Sequence, residues 1–274
     1  MGLINKKEEK SGKQETSNSD FVIHLLFAEN QNVNSAKIIS ENESFFTIKE
    51  TAKTGDRLTL DYTKEGGTPI SVTITQHNEP VPFKKKALKF KAKKMNEAAL
   101  FFEDTYKNVK NHTAYLEIEM NGDDSLDLNK NMFHFYHIIY SITDAYKPTA
   151  VNIPHVNAFY CFEDFDEYGY GRLDSYMFLV TFMAIEVVKD EDFEDDIYIY
   201  TNGLSKFGEK ELQIKVDLDE AALAFNFMMS LSLNCLGTTS SYNDGESTNN
   251  HEGEFVRFNT IKSPFLGIDV LNIE

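Results

Sequence analysis

The segment Thr201–Ile214, TNGLSKFGEKELQI, decides the fold class because it joins two stretches that alternate like β-strands. Asp196–Thr201 (DIYIYT) leads into it, and Glu211–Val216 (ELQIKV) forms its end. Two alternating runs around a short glycine-containing connection predict an antiparallel hairpin, with Asn202–Gly208 as its turn.

Within the turn, Gly203 and Gly208 are expected at positions with positive φ, which glycine adopts at little cost. Leu204 and Phe207 are expected to pin the turn to the core. The glycines precede a strand and no helix, so the helix N-terminus that usually binds phosphate is absent here. The following strand is expected to present Glu211, Gln213 and Lys215 on a wet face.

Outside the hairpin, strands outnumber helices, and short turns connect several of them. The further strands are predicted at Phe21–Phe27, Phe45–Lys49, Leu58–Tyr62, Ile70–Thr75, Thr113–Met120, Ala150–Ile153, Asp174–Lys189, Glu254–Lys262 and Phe265–Leu271. Helices are predicted at Val33–Glu41, Asn96–Val109, Asp127–Tyr146 and from Asp217 to Leu236. This order predicts an α+β fold with a mostly antiparallel sheet and about four helices, largely on one face.

The last predicted helix follows a sequence with the spacing of a capping box, Asp217 and Glu220. Its periodicity predicts a buried side that contains the large apolar residues. These are Leu223, Phe227, Met228, Leu231 and Leu236. Gly237 is expected to end the helix.

The domain organisation follows from composition. Residues 1–20 are rich in Lys, Glu, Ser and Asn, which predicts a disordered leader. Residues 21–274 are predicted to form a single α+β domain, with two half-domains that share a sheet as the alternative. Hydrophobic residues make up 41% of the chain, enough for a packed core.

The charge excludes some classes of partner. The formal net charge is −17, so nucleic acid is a poor candidate ligand. Residues 84–94 hold a lysine run and residues 186–196 an acidic run, and both are expected to be solvated surfaces or patches that steer a charged protein. No apolar run reaches the length needed to span a membrane, and no secretory signal opens the chain. We therefore expect a cytoplasmic protein whose Cys161 and Cys235 are reduced and buried.

Two clusters could carry a site. His134 and His137 lie three residues apart on a predicted helix, and His155 could be a third metal ligand, although aromatic neighbours favour a packing role. The stretch Asn157–Glu167 is predicted to be an aromatic, acidic loop. This loop and the residues up to Gly171 supply the candidate protein-binding residues Phe159, Tyr160, Phe162, Asp164, Phe165, Asp166, Tyr168 and Tyr170. No cofactor and no catalytic residue is predicted.

Several segments together resemble a bacterial family, the domain of unknown function numbered forty-two sixty-one. The matching pieces are VIHLLFAEN (Val22–Asn30), HTAYLEIE (His112–Glu119), ITDAYKPTAVNIPH (Ile142–His155), MFLVTFMAIE (Met177–Glu186), YTNGLSKFGEKELQI (Tyr200–Ile214), Asp244-Gly245 and EFVRF (Glu254–Phe258). The resemblance implies a cytoplasmic bacterial protein without an assigned activity. By analogy with other small acidic domains, we expect a non-enzymatic protein-binding domain of the immunity type or a secretion-system accessory protein. Its partner is expected to be a protein, with a basic one favoured. The alternative is a metal-dependent hydrolase that uses His134, His137 and His155.

Overall fold

The computed structural model describes residues 22–42, 46–65, 67–83, 105–121, 128–156, 158–162, 183–189, 196–237, 241–250 and 253–274. In these ranges, four α-helices and two sheets succeed one another along the chain. Antiparallel pairs dominate both sheets, so the predicted α+β class is confirmed.

The first sheet has the strand order β2-β3-β4-β5-β1-β6-β7, and all of its neighbouring strands are antiparallel. Its strands are β1 (Val22–Phe27), β2 (Thr47–Thr54), β3 (Arg57–Thr63), β4 (Ile70–His77), β5 (Ala114–Asn121), β6 (Ala150–Ile153) and β7 (Ala158–Cys161). The helices of this half are α1 (Ser35–Asn42), α2 (Thr105–Asn111) and α3 (Leu128–Tyr146). The apolar run of β1 is explained by its central place, since both of its edges pair with neighbours.

The second sheet has the order β11-β12-β13-β10-β9-β8, in which β10 and β13 are parallel. Its strands are β8 (Ala184–Lys189), β9 (Asp196–Asn202), β10 (Leu212–Asp217), β11 (Ser247–Asn249), β12 (Phe255–Lys262) and β13 (Asp269–Ile273). The predicted hairpin is β9 and β10, joined by a 3-10 turn at Leu204–Phe207. A second 3-10 turn, Leu218–Glu220, leads into helix α4 (Ala221–Gly237), which packs against β9 and β10.

One hydrophobic cluster runs through both sheets. It contains Leu25 and Leu116 of the first sheet together with Ile199 and Leu212 of the second. A smaller cluster lies on the opposite face of the first sheet, because Leu26 and its register partners Tyr115 and Ala150 point away from Leu25. Helix α2 covers this smaller cluster through Val109. Whether the two sheets form one domain or two half-domains stays a prediction.

Several local expectations differ from the structure. The predicted loop at Asn157–Glu167 is wrong at Ala158–Cys161, because these residues pair with β6 as the strand β7. The final strand begins at Asp269, since the turn that holds Phe265 folds over Tyr200 instead of extending the sheet. The predicted capping box is also wrong: Asp217 ends β10 in an extended conformation and makes no side-chain capping hydrogen bond.

Some expectations lie outside the described residues. These are the leader, the lysine run at 84–94, most of the acidic run, the first part of the helix predicted at Asn96–Val109, and the first part of the strand predicted at Asp174–Lys189. Among the described residues, no helix is long and apolar enough to cross a membrane.

Candidate interaction surface

The loop between β9 and β10 is fastened by a buried carboxylate. Glu211 is 2% exposed, so the predicted wet face is wrong at this residue. Its Oε1 accepts hydrogen bonds from the backbone N–H groups of Gly203 and Ser205, both at 2.9 Å. Its Oε2 accepts from the N–H of Leu204 at 3.2 Å and from the hydroxyl of Thr201 at 2.8 Å. Three successive amides therefore cradle an anion, and that anion belongs to the chain itself.

The turn chemistry explains why this sequence forms the cradle. Gly203 has φ 128° and Gly208 has φ 81°, which confirms that both glycines serve the turn. Leu204 and Phe207 are buried, as predicted, and pack on the core beneath α4. Because Glu211 already occupies the amides of Gly203–Ser205, this loop has no free cradle for a phosphate.

The next residue on the same face of β10 is buried as well. Gln213 accepts a hydrogen bond from the hydroxyl of Ser263 at 2.9 Å, and Ser263 accepts from the amides of Phe265 and Leu266, both at 3.3 Å. The aromatic ring of Phe265 stacks on Tyr200 with a centroid distance of 5.3 Å. This turn therefore shields Gln213, and the predicted wet face is wrong at Gln213 too.

A second polar cluster crosses the first sheet on the face away from the main core. His24 of β1 is opposite Glu117 of β5 and Asn152 of β6 in the strand register. Asn152 donates from Nδ2 to His24 Nδ1 at 3.0 Å, so the ring proton is on Nε2, which lies 3.3 Å from Glu117 Oε2. The hydrogen bond from His24 lowers the pKa of Glu117 below its ordinary value.

The chemistry available to this second cluster is limited by its own hydrogen bonds. Both ring nitrogens of His24 are engaged within the protein, so the ring has no free lone pair with which to take a proton from a substrate. The ring of Tyr115 stacks on His77 with a centroid distance of 4.2 Å and lies 5.1 Å from His24. We interpret the cluster as a structural network. The lone His24 inside an apolar strand was the available signal, but its partners are 93 and 128 residues away.

Helix α4 presents the surface that the sequence reasoning missed. From Ala221 to Asn243 the sequence contains no Asp, Glu, Lys or Arg. Its inner side is buried as predicted through Phe227, Met228, Leu231 and Leu236. Leu223 was predicted to join that side, but it is 55% exposed, so this prediction is wrong.

The outer side of α4 is exposed and uncharged. It consists of Ala222, Leu223, Asn226, Ser230 and Asn234, which recur at the spacing of one helix face. Met229 and Leu233 lie half-buried beside them. We call these seven residues the α4 platform. The 3-10 turn before the helix adds Leu218, which is 42% exposed, between the exposed acids Asp217 and Asp219.

The platform is unusual for a chain in which 26% of the residues are charged. The solvent side of a helix is normally lined with charged and polar residues, which keep it soluble. A helix side that carries leucines and small polar residues without charge over residues 222–234 has the composition of a surface that another protein covers. What it can do chemically is bind another apolar surface.

The predicted aromatic site is only partly described. Phe159 lies on the outer face of β7, where its ring meets Phe83 edge-on at a centroid distance of 5.1 Å. Tyr160 and Phe162 pack against the main core. Asp164, Phe165, Asp166, Tyr168 and Tyr170 lie outside the described residues. A partner at this site stays a prediction.

The three candidate metal ligands have separate surroundings. The ring of His134 is edge-on to Phe46 at 6.0 Å, and burial lowers its pKa. The ring of His137 lies 5.5 Å from that of Tyr136. His155 is in the turn after β6. In the part of the chain that the structure describes, no group of three or more His, Cys, Asp or Glu residues could hold a metal ion, and all three histidines belong to that part.

Cys235 has the character of a core residue. It is buried on the inner side of α4 as a free thiol, and burial raises its pKa to about 12. A thiol of this kind is protonated at neutral pH and is a poor nucleophile.

Comparison of the chain with protein-family models, with curated proteins and with solved structures gives no match. The resemblance to the bacterial family numbered forty-two sixty-one therefore stays a prediction.

Proposed function

We propose that this chain is a non-enzymatic protein-binding protein of a bacterial cytoplasm, of the immunity or secretion-accessory kind. The observation that carries the proposal is the α4 platform, an exposed helix side without charge in a strongly acidic chain. Such a side exposes apolar area to water in the free protein, and a partner that covers it recovers the hydrophobic free energy.

The polar clusters support the same proposal. The carboxylate of Glu211 and the imidazole of His24 both make their hydrogen bonds to groups of the same chain. A catalytic site keeps a base or a nucleophile within reach of a substrate. The Glu211 cluster instead stabilises the loop that packs against α4, and the His24 cluster joins three strands of the first sheet.

Site-specific crosslinking in the bacterial cells tests the proposal. A photoreactive amino acid is placed on the α4 platform at Asn226 or Ser230, and on β2 at the exposed residue Thr51 as the control. We expect the same discrete protein adduct from both α4 positions and none from Thr51. Mass spectrometry of the adduct identifies the partner. Absence of an adduct on α4, or equal adducts at all three positions, contradicts the proposal.

A further inference from the structure

The chemistry of the partner can be derived from the charges around the α4 platform. Asp217, Asp219 and Glu220 lie at its N-terminal end, and all three are exposed. Asp217 makes no capping hydrogen bond, so its charge is not used by the helix start. The platform is therefore an uncharged surface with three exposed acids at its N-terminal end.

A second copy of this chain does not complement that pattern. The last turn of α4 has no basic residue, and the sequence from Ala221 to Asn243 has no charge at all. Two copies packed antiparallel through α4 place the acids near the last turns of the helix, where the carboxylate of Glu209 acts on Cys235. Two parallel copies place acids against acids. Each copy also brings a net charge of −17, so self-association is opposed by repulsion.

We propose that the α4 platform docks an amphipathic helix of a basic partner protein. The apolar side of that helix covers Leu223 and Leu233, and its Lys or Arg side chains face Asp217, Asp219 and Glu220. The inference rests on the proposed function and adds the class of partner. A helix laid along an exposed apolar helix side is a common mode of recognition, and the complementary charges set its direction.

The shape of the platform fits such a partner. Ala222, Asn226 and Ser230 are short and lie one turn apart along its centre. Small side chains at a helix crossing allow the two axes to approach closely. Since the platform spans residues 222–234 of α4, it is roughly 20 Å long, room for a partner helix of similar length.

Peptide titration of the purified full chain tests the inference. Two synthetic helical peptides of about the length of α4 are used, one with a leucine side and a lysine side, the other with glutamate in place of lysine. Fluorescence anisotropy measures their affinities. We expect the lysine peptide to bind at least about tenfold more tightly.

Matched variants assign the binding to the platform. The double variant Asp219→Lys with Glu220→Lys should lower the affinity for the lysine peptide at least about tenfold. The control pair Glu29→Lys with Glu65→Lys changes the net charge equally at exposed sites elsewhere and should leave the affinity within about twofold. Leu223→Ser should weaken binding at least about tenfold, whereas Phe255→Ser, at a residue 84% exposed on β12, should not.

Four outcomes overturn the inference. Equal loss of affinity in both double variants means diffuse charge attraction. A dimer in sedimentation equilibrium that Leu223→Ser dissociates means that a second copy covers the platform. A lysine peptide that binds no better than the glutamate peptide, while the crosslinked adduct on Asn226 is still formed, refutes the basic helix and leaves the proposed function standing. Loss of that adduct refutes both.

Discussion

The loop Thr201–Gly208 and the α4 platform belong to the same half of the chain, and the 3-10 turn of the loop packs against α4. The two regions differ in which side chains they bury and which they expose. In the loop, the carboxylate of Glu211 is buried, and each of its two carboxylate oxygens accepts two hydrogen bonds from the chain. On the platform, Leu223 is exposed and charge is absent. In this chain the closed polar network is structural, and the uncharged surface is the candidate for function.

Removal of the Glu211 carboxylate should have the largest effect on the stability of the fold. Glu211→Ala leaves three backbone amides and the Thr201 hydroxyl without their acceptor. Because each buried unsatisfied donor costs about 1–3 kcal/mol, the free energy of unfolding should fall by roughly 4 kcal/mol. Urea denaturation measures it, with Glu65→Ala as the control that removes the same side chain from an exposed position. Equal loss in both variants would show that the cradle contributes nothing.

A matched pair of leucine variants on α4 tests how differently its two sides contribute to the free energy of unfolding. Leu231→Ala removes a buried side chain and should cost roughly 3 kcal/mol. Leu223→Ala, on the platform, should change the free energy of unfolding by no more than about 0.5 kcal/mol. Both values come from the same denaturation experiment. If Leu223→Ala costs as much as Leu231→Ala, the outer side of α4 is part of the core and the platform does not exist.

A small, pH-dependent stability effect concerns the polar cluster of the first sheet. The folded-state pKa of Glu117 is lowered, chiefly by the hydrogen bond from His24. Its contribution is therefore present above the unfolded pKa, near the ordinary value of 4.5, and is lost as the pH falls through the lower folded pKa. Since about a third of the Glu117 side chain is exposed, we expect its contribution to the free energy of unfolding to be less than about 1 kcal/mol.

Thermal unfolding of the wild type and of Glu117→Gln over this acidic range measures that contribution. The stability difference between the two proteins should shrink as the pH is lowered below 4.5. A difference that is the same at neutral and acidic pH would mean that the His24–Glu117 contact does not depend on the carboxylate charge.

The sequence predicts most of the secondary structure because hairpins and amphipathic helices are local patterns. The turn glycines 203 and 208 and the buried Leu204 and Phe207 followed from the segment itself. Glu211 was misassigned because alternation indicates which face a residue shares, and only the tertiary fold determines whether that face is covered. His24 met the same limit, since its partners come from β5 and β6.

Leu223 shows the converse error. A periodic apolar helix was assumed to bury all of its large residues, yet Leu223 lies at the border of the buried side and is left in solvent. The signal that could have identified the platform was present in the sequence as the absence of any charge from Ala221 to Asn243. Periodicity alone does not distinguish a helix side covered by its own domain from one covered by a partner.

The central claim is that the α4 platform binds a protein, and one affinity measurement tests it most directly. Calorimetry measures the affinity of the partner identified by crosslinking for the wild type and for the variant Asn226→Arg. This substitution inserts a charge at the centre of the platform. A charge buried in an apolar interface should cost at least about 2 kcal/mol, a loss of about 30-fold in affinity, while the unfolding midpoint stays unchanged. An affinity equal to that of the wild type would contradict the account.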